Sequence, residues 1–507
     1  MRLSASDLYT YYRPSQCDLR GHLRHKGIPE ECPGPLEQVL FRLAVRHEKA
    51  HLATLPEVLD LSALEREERY SRTAEAVRAR APAIYQGALR ARATLNGIPC
   101  DIVGEPDFLI KVGEGYVIRD SKLSKRIDHK DHPEIICQLQ LYGWLYQQTF
   151  RQAPLGLEVH SGSGDIIPIE YDKGKEALRV LAKILNVKQA EQESYSPVGW
   201  SKCTGCGFHG RCWDRAKVAR DVALVNGVDQ GLTRTLRVMN IGTYEQLMTL
   251  KESRLAEIER PWGDRMRKVG NRAARMILKQ ARALATGAEE ALHAPAVPRH
   301  SNYVVLDLEG LPPYLGELDK VYLWGVRVYG ERPGPYQAAV AGLGVDGDRQ
   351  GWQDFLRIAR GIFEEYGDVP FTHWSQYEKT KVDVYLDTYG DTPDGTAARV
   401  RRNLLDLFAI TREALVLPLP SYSLKVVERY IGFKRRLPEA NGEWAIARYV
   451  EAIETKSPEA RGEAMNEIRA YNEEDLEATW AVLQWLRAKK IPSQTPAPDM
   501  AYEGRGG

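Results

Sequence analysis

The sequence predicts an α/β protein built from several domains. Three observations carry that prediction. A chain of 507 residues is longer than one hydrophobic core supports. Strand-like alternation and helix-like periodicity trade places in two separate stretches, 101–170 and again from 301 onward. Between them the segment ATGAEEALHAPAVPRH, residues 285–300, mixes small, acidic and proline residues without any period and reads as a linker.

The elements follow in chain order. Residues 1–100 read as mostly helical, as in PLEQVLFRLAVRHEKAHLATL. Residues 101–170 alternate strand and helix, and 173–215 carry a helix followed by clustered cysteines, so 1–220 is expected to form one domain. Residues 226–284 form a small helical unit. There LTRTLRVMNIGTYEQLMTL gives two short amphipathic helices joined at Asn240-Ile241-Gly242, and a further helix is expected from Arg265 to Arg282. After the linker, NYVVLDLEG and VYLWGVRVYG are strands, WQDFLRIARGIFEEY is a helix, and MNEIRAYNEEDLEATWAVLQWLRAKK closes a second domain over 301–490. The end, 491–507, is expected to be a disordered tail.

Bulk composition excludes little. The chain is 43% hydrophobic and 27% charged, and 70 basic residues against 69 acidic ones leave no bulk field to attract nucleic acid. The start, MRLSASDLYTYYR, has no apolar signal region and no apolar run is long enough to span a bilayer, so no membrane association and a cytoplasmic location are expected. Seven cysteines, an odd count, argue against a disulfide framework. Cys32, Cys100 and Cys137 are expected to act as small buried hydrophobes.

The segment GEPDFLIKVGEGYVIRDSK places Asp107 and Asp120 on two runs that alternate like paired strands. Carboxylates on neighbouring strands can hold Mg²⁺ or Mn²⁺ through oxygen and leave waters on the ion. Hydrolysis of a phosphodiester at neutral pH needs such an ion. Lys122, two residues beyond Asp120, shares its face and can stabilise developing negative charge. A D-x-K sequence by itself also ends many solvated hairpins. In the helix QLQLYGWL, Gln138 and Tyr142 stand at i, i+4 on one face, and VRHEKAHL puts His47-Glu48 on another helix.

Cys203, Cys206 and Cys212 sit together in KCTGCGFHGRC, and Cys17 stands alone near the start. Four thiolates suit a [4Fe–4S] cluster or zinc, with His209 as a substitute ligand in the zinc case.

The ordered set of a helix histidine, a GxxD strand, a (D/E)xK strand and a QxxxY helix resembles the RecB-like branch of the PD-(D/E)xK nucleases. That resemblance implies a restriction-endonuclease-like core, metal ligation by His47, Asp107, Asp120 and the Ser121 carbonyl, a catalytic Lys122, and site roles for Gln138 and Tyr142. The single cysteine before the core and three after it resemble the iron–sulfur subgroup, which includes AddB-type recombination nucleases and CRISPR-adaptation exonucleases. In that subgroup a [4Fe–4S] cluster staples the domain shut, which here implies Cys17, Cys203, Cys206 and Cys212 as ligands.

The helical middle has the spacing of a helix-hairpin-helix, whose turn at Gly242 can aim backbone N–H groups at a phosphate. Arg265, Arg267, Lys268, Arg272, Arg275, Lys279 and Arg282 bring seven positive charges with no intervening acid, as a DNA track or a solvated spacer face would.

In the second domain, VVLDLE ends a hydrophobic strand with Asp307 and Glu309 on one side, an arrangement that calls for a compensating cation. Tyr471 and Asp475 share a helical face. This set resembles the RNase H-like DEDD exonucleases of the tyrosine branch. The likeness implies that Asp307, Glu309, a middle acid and Asp475 bind two metals, that Tyr471 orients water, and that cleavage starts from 3′ ends. The sequence departs from the family at the middle acid, for which Glu378 is the choice and Asp406 the competitor. The domain order resembles a family of bacterial and archaeal RecB-like nucleases, some of which continue into a helicase; no G-x-x-x-x-G-K-[ST] loop occurs here.

The function expected is a metal-dependent DNA nuclease with two sites, acting on single-stranded DNA or DNA ends in repair, recombination or defence. The alternatives are one silent domain acting as a nucleic-acid clamp, or a non-enzymatic adaptor for a helicase partner. RNA stays open as a substrate, because acidic sites do not read the 2′-OH.

Overall fold

The computed structural model describes residues 1–263, 265–312 and 320–489, without the side chains of Trp200 and Ser201. The expected tail lies outside the described residues.

The first domain is built on a six-stranded sheet in the order Val58–Asp60, Ala83–Tyr85, Phe108–Val112, Gly115–Ser121, Gly156–His160, Ile166–Ile169. Its central pair is the antiparallel ladder expected from FLIKV and GYVIRDS, with Phe108 opposite Arg119 and Val112 opposite Gly115. That register puts Asp107 and Asp120 at the same end of the sheet. From there the Pro133–Phe150 helix crosses over to Gly156–His160, which runs parallel to Gly115–Ser121. Leu139, Leu141 and Leu145 are fully buried along the helix, so it is fixed by packing on more than one side.

Residues 1–100 are less helical than expected. They also supply Arg2–Ser4, Val58–Asp60, Ala83–Tyr85 and Leu89–Leu95 as strands. Leu89–Leu95 and Ile98–Gly104 pair antiparallel around a two-residue loop, with Asn96 at φ 49° and Gly97 at φ 77°. Asn-Gly takes that left-handed turn readily, and its twist matches the flanking strands.

The middle unit contains the helices Gln230–Val238 and Tyr244–Met248, joined at Asn240-Ile241-Gly242 as expected. The single helix expected from Arg265 is instead two elements. Glu259–Trp262 and Arg265–Lys268 form a two-stranded antiparallel ribbon, and the helix begins only at Asn271 and runs to Thr286. Gly270, at φ 81°, breaks the chain between them.

In the second domain a five-stranded sheet has the order Gln337–Val340, Val321–Gly330, Asn302–Gly310, Phe371–His373, Leu404–Asp406. Asn302–Gly310 is central, antiparallel to one neighbour and parallel to the other. Trp324, Trp352, Phe355 and Tyr385 pack beneath it, each aromatic removing a large apolar surface from water at ~25 cal/mol per Å². The Pro458–Ala488 helix lies against the two central strands. Within the expected linker, Glu290–Ala291 pairs with Leu415–Val416.

The domains meet through the helix Gly442–Glu454, which packs on Pro35–Leu52 by way of Val39, Leu43, Ala447 and Val450. Arg42 and Arg46 both bridge to Glu454 at its end. Among the described residues no helix is long and apolar enough to cross a membrane.

Candidate active sites

Asp107 precedes one central strand and Asp120 lies on the other. The backbone N–H of Asp107 donates to Asp120 Oδ1 at 3.1 Å, and Asp107 Oδ2 accepts from the Ser121 backbone N–H at 2.8 Å. Lys122 Nζ stands 2.8 Å from Asp120 Oδ2. Burial, and then the neighbouring charge of Asp120, push the Asp107 carboxyl well above its usual range. Burial opposes the charge on Lys122, yet Asp120 and Asp107 hold its ammonium above the ordinary value.

Gln138 Nε2 donates to Tyr142 Oη at 2.7 Å, and both line a cavity of about 580 Å³ together with Asp107, Asp120 and Lys122. Arg2, Arg66 and Lys188 line the same cavity. Gly104 is required by close approach: a Cβ there would lie 2.7 Å from the Tyr142 ring and from Leu145.

His47 is on the Pro35–Leu52 helix. Its ring stacks on His160 at 4.3 Å, and among the described residues its Nε2 is buried without a hydrogen-bond partner. His160 in turn stacks on His51 at 4.0 Å and its Nδ1 is 2.8 Å from Ser121 Oγ. His47, Asp107 and Asp120 do not form a compact ligand group within 4.8 Å among the described residues. Two side chains at this site were not singled out from the sequence. Glu48 accepts from Tyr85 Oη and Gln86 Nε2, each at 2.7 Å, and Gln86 Nε2 also lies 3.2 Å from Asp107 Oδ1. Glu48 was visible only as the residue after His47, and Gln86 carried no pattern at all.

The second site lies at the end of the central strand Asn302–Gly310. Asp307 and Glu309, two residues apart, meet Asp475 from the Pro458–Ala488 helix, with ligand atoms of all three within 4.8 Å. Burial, then the Asp475 charge, push Asp307 and Glu309 well above the carboxylate range, and burial raises Asp475 against the pull of Arg435. Tyr471 is buried one helical turn before Asp475, with Trp444 edge-on at 5.9 Å.

Glu378 is buried at the start of the helix Gln376–Tyr389, where Ser375 Oγ donates to it at 3.1 Å. Its charge reaches Asp307 and Glu309, but it stands outside the compact trio. Asp406 caps the helix Leu407–Ala414, accepting from the Ala409 N–H at 3.0 Å.

Three further groups serve this site. Asn472 Nδ2 donates to Asp307 Oδ2 at 2.7 Å. Arg435 donates to both oxygens of Glu428, at 2.6 and 2.7 Å, and to Asp475. Lys425 Nζ lies 5.3 Å from the Tyr471 ring centroid. Asn472 was not singled out from the sequence, where it stands only as the neighbour of Tyr471, and Arg435 and Lys425 come from a loop and a short helix with no periodic signal.

The four cysteines come from the two ends of the first domain. Cys17, Cys206 and Cys212 all pack against Leu19, Leu23 and Phe208. Burial and the neighbouring thiols push Cys212 up to about 12. All are free thiols, and no three lie within 4.8 Å of one another among the described residues. Cys100 and Cys137 are buried as expected, but Cys32 is exposed, because it sits in the proline-flanked segment before the Pro35–Leu52 helix. His209 stacks on Trp213 at 5.5 Å.

In the helical middle, the Gly242 N–H donates to Gln246 Oε1 at 2.8 Å, so the turn does not present it to solvent. Arg275 and Lys279 pair with Glu252 and Glu290. Arg265, Arg267 and Lys268 lie on the ribbon, exposed, and Arg272 opens the following helix.

Two mixed sheets, each ending in converging carboxylates, are a nuclease-type architecture, and comparison with known families agrees. Residues 19–213 match the family model of the PD-(D/E)XK nuclease superfamily, and residues 304–487 match that of the RNase_H superfamily. The chain therefore carries one domain of each kind. No curated protein matches it. Solved structures similar to it include the crystal structure of SSO0001, at 15% identity over 42% of this chain and 85% of that one, with a TM-score of 0.23. That likeness carries no argument.

The donor chemistry fits hard divalent cations at both sites. Each combines buried carboxylate oxygens whose mutual repulsion has no full internal compensation.

Proposed function

We propose that the chain is a metal-dependent phosphodiester hydrolase with two active sites, acting on single-stranded DNA or DNA ends. The observation that supports this most strongly is the convergence of Asp307, Glu309 and Asp475 within 4.8 Å on a family-matched fold. Mg²⁺ or Mn²⁺, two ions per site, would be held by Asp107, Asp120, His47 and the Ser121 carbonyl at the first site, and by Asp307, Glu309, Asp475 and Glu378 at the second. When bound, such ions activate water and offset charge at phosphorus.

The protein supplies the rest. Lys122 faces the charge that develops on the phosphate. Gln138 and Tyr142 wall the cavity and fix the strand beside it. Tyr471 orients water next to Asp475. The second site would work from 3′ ends. Cys17, Cys203, Cys206 and Cys212 would hold a structural [4Fe–4S] cluster that fastens the first domain around its carboxylates. A broad visible absorption band in anaerobically purified protein is expected, and a colourless, zinc-containing preparation would contradict it. The role would be in repair, recombination or defence, with a separate helicase as the motor.

A second reading, in which the RNase H-like site only grips nucleic acid, is favoured by two observations there. Glu378 stands outside the trio, and Arg435 already compensates Asp475. Incubating end-labelled single-stranded DNA and RNA with the protein and Mn²⁺ tests the main proposal. Shortening of the DNA is expected, and intact DNA and RNA would contradict it.

A further inference from the structure

The two-stranded ribbon of the middle unit carries a face that neither active site uses. Its register pairs Arg260 with Arg267 and Trp262 with Arg265. Side chains alternate along a strand, so these four share one side. That side therefore holds three arginines and one tryptophan, and the ribbon contributes no acid to it. Glu259 and Lys268 fall on the other. Trp262 is 51% exposed although it is a large aromatic side chain. The guanidinium of Arg260 lies 4.6 Å and that of Arg267 5.4 Å from its ring, which fixes the ring's direction while leaving half its surface open.

The ribbon is braced through Arg260, whose side chain is only 13% exposed. Arg260 pairs with Asp229 at the cap of the Gln230–Val238 helix, and Gly231 lets the Pro261 backbone approach closely. Gln230 on the same helix donates to the Pro197 carbonyl at 3.0 Å, in the segment that leads to the cysteines.

We propose that this face binds single-stranded nucleic acid, with a base stacked on Trp262 and phosphates on Arg265 and Arg267. The charge is complementary, and an exposed aromatic ring flanked by cations is what an unpaired base and its phosphate require. Of the four basic residues on the helix Asn271–Thr286, Arg275 and Lys279 are already paired with glutamates, whereas the ribbon itself places no acid beside Trp262, Arg265 and Arg267. The inference rests on the nuclease reading for its choice of partner.

The test is binding of labelled oligothymidylate to the full chain in EDTA, which prevents cleavage. Trp262→Ala is expected to weaken binding about 5- to 150-fold, with Trp262→Phe retaining most of it. Arg265→Gln with Arg267→Gln is expected to flatten the salt dependence by ~0.7 in slope for each phosphate no longer neutralised. Heparin, a polyanion without bases, should lose little affinity on Trp262→Ala. Unchanged oligothymidylate binding by Trp262→Ala, with an unchanged melting curve, would overturn the proposal, as would an equal loss for heparin. The nuclease reading fails separately, if the wild-type chain binds the oligonucleotide but never cuts it with Mn²⁺.

Discussion

Asp107 and Asp120 hold each other. The backbone N–H of Asp107 donates to Asp120 Oδ1, while the Ser121 N–H beside Asp120 returns a hydrogen bond to Asp107 Oδ2. Two like charges are thereby fixed by the strands that carry them. Asp107→Asn keeps an acceptor for Ser121 and removes one charge. In metal-free protein its melting temperature should stay level or rise, while cleavage at the first site is lost. The activity is read in an Asp307→Asn background, and a large fall in melting temperature would mean that the acid serves the fold.

Gly104 faces the Tyr142 ring with no room for a methyl group. Gly104→Ala should cost about 1–3 kcal/mol in urea unfolding of the first domain, as overpacking does. It should also displace Tyr142 from the cavity. An unchanged unfolding midpoint would show that the ring moves freely.

How legible these features were differs by element. Asp107 precedes an apolar strand, and Asp120, Asp307 and Glu309 lie near the far ends of theirs, so the strand pattern places them at the ends of central strands. The Leu89–Gly104 hairpin was signalled by Asn96-Gly97 but was hidden by the helical composition around it. The ribbon was missed because RMRK has no period of its own. Its strand character comes from pairing with Glu259–Trp262, and Gly270 decides where the helix starts. Arg435 and Glu48 act through tertiary interactions, which leave no local mark.

Arg435 is nearly buried between Glu428 and Asp475. Arg435→Met leaves two buried carboxylates without their counter-ion, which should cost ~3–5 kcal/mol in metal-free protein. Mn²⁺ should recover part of that loss, because a cation then faces Asp475. Thermal melts with EDTA and with Mn²⁺ check this, and equal losses in both would contradict it.

His51 and His160 are each held down to about 4, His51 by burial and Arg119, His160 by burial and His51. Unfolded, they titrate near the ordinary value of about 6.5. Between those values the unfolded chain binds protons that the folded chain does not, so stability falls as pH drops from about 6.5 toward 4. The loss is roughly 1 kcal/mol per pH unit for each group. Urea unfolding at several pH values should show it, and His51→Gln should reduce the slope.

The central claim is that Asp120 and Asp307 serve two separate hydrolytic sites. It is tested most directly by cleavage of end-labelled single-stranded DNA with Mn²⁺, using Asp120→Asn, Asp307→Asn and the double variant. Each single variant should keep part of the activity with an altered product pattern, and the double variant should have none. Complete loss on Asp120→Asn alone, or full activity in the double variant, would contradict the account.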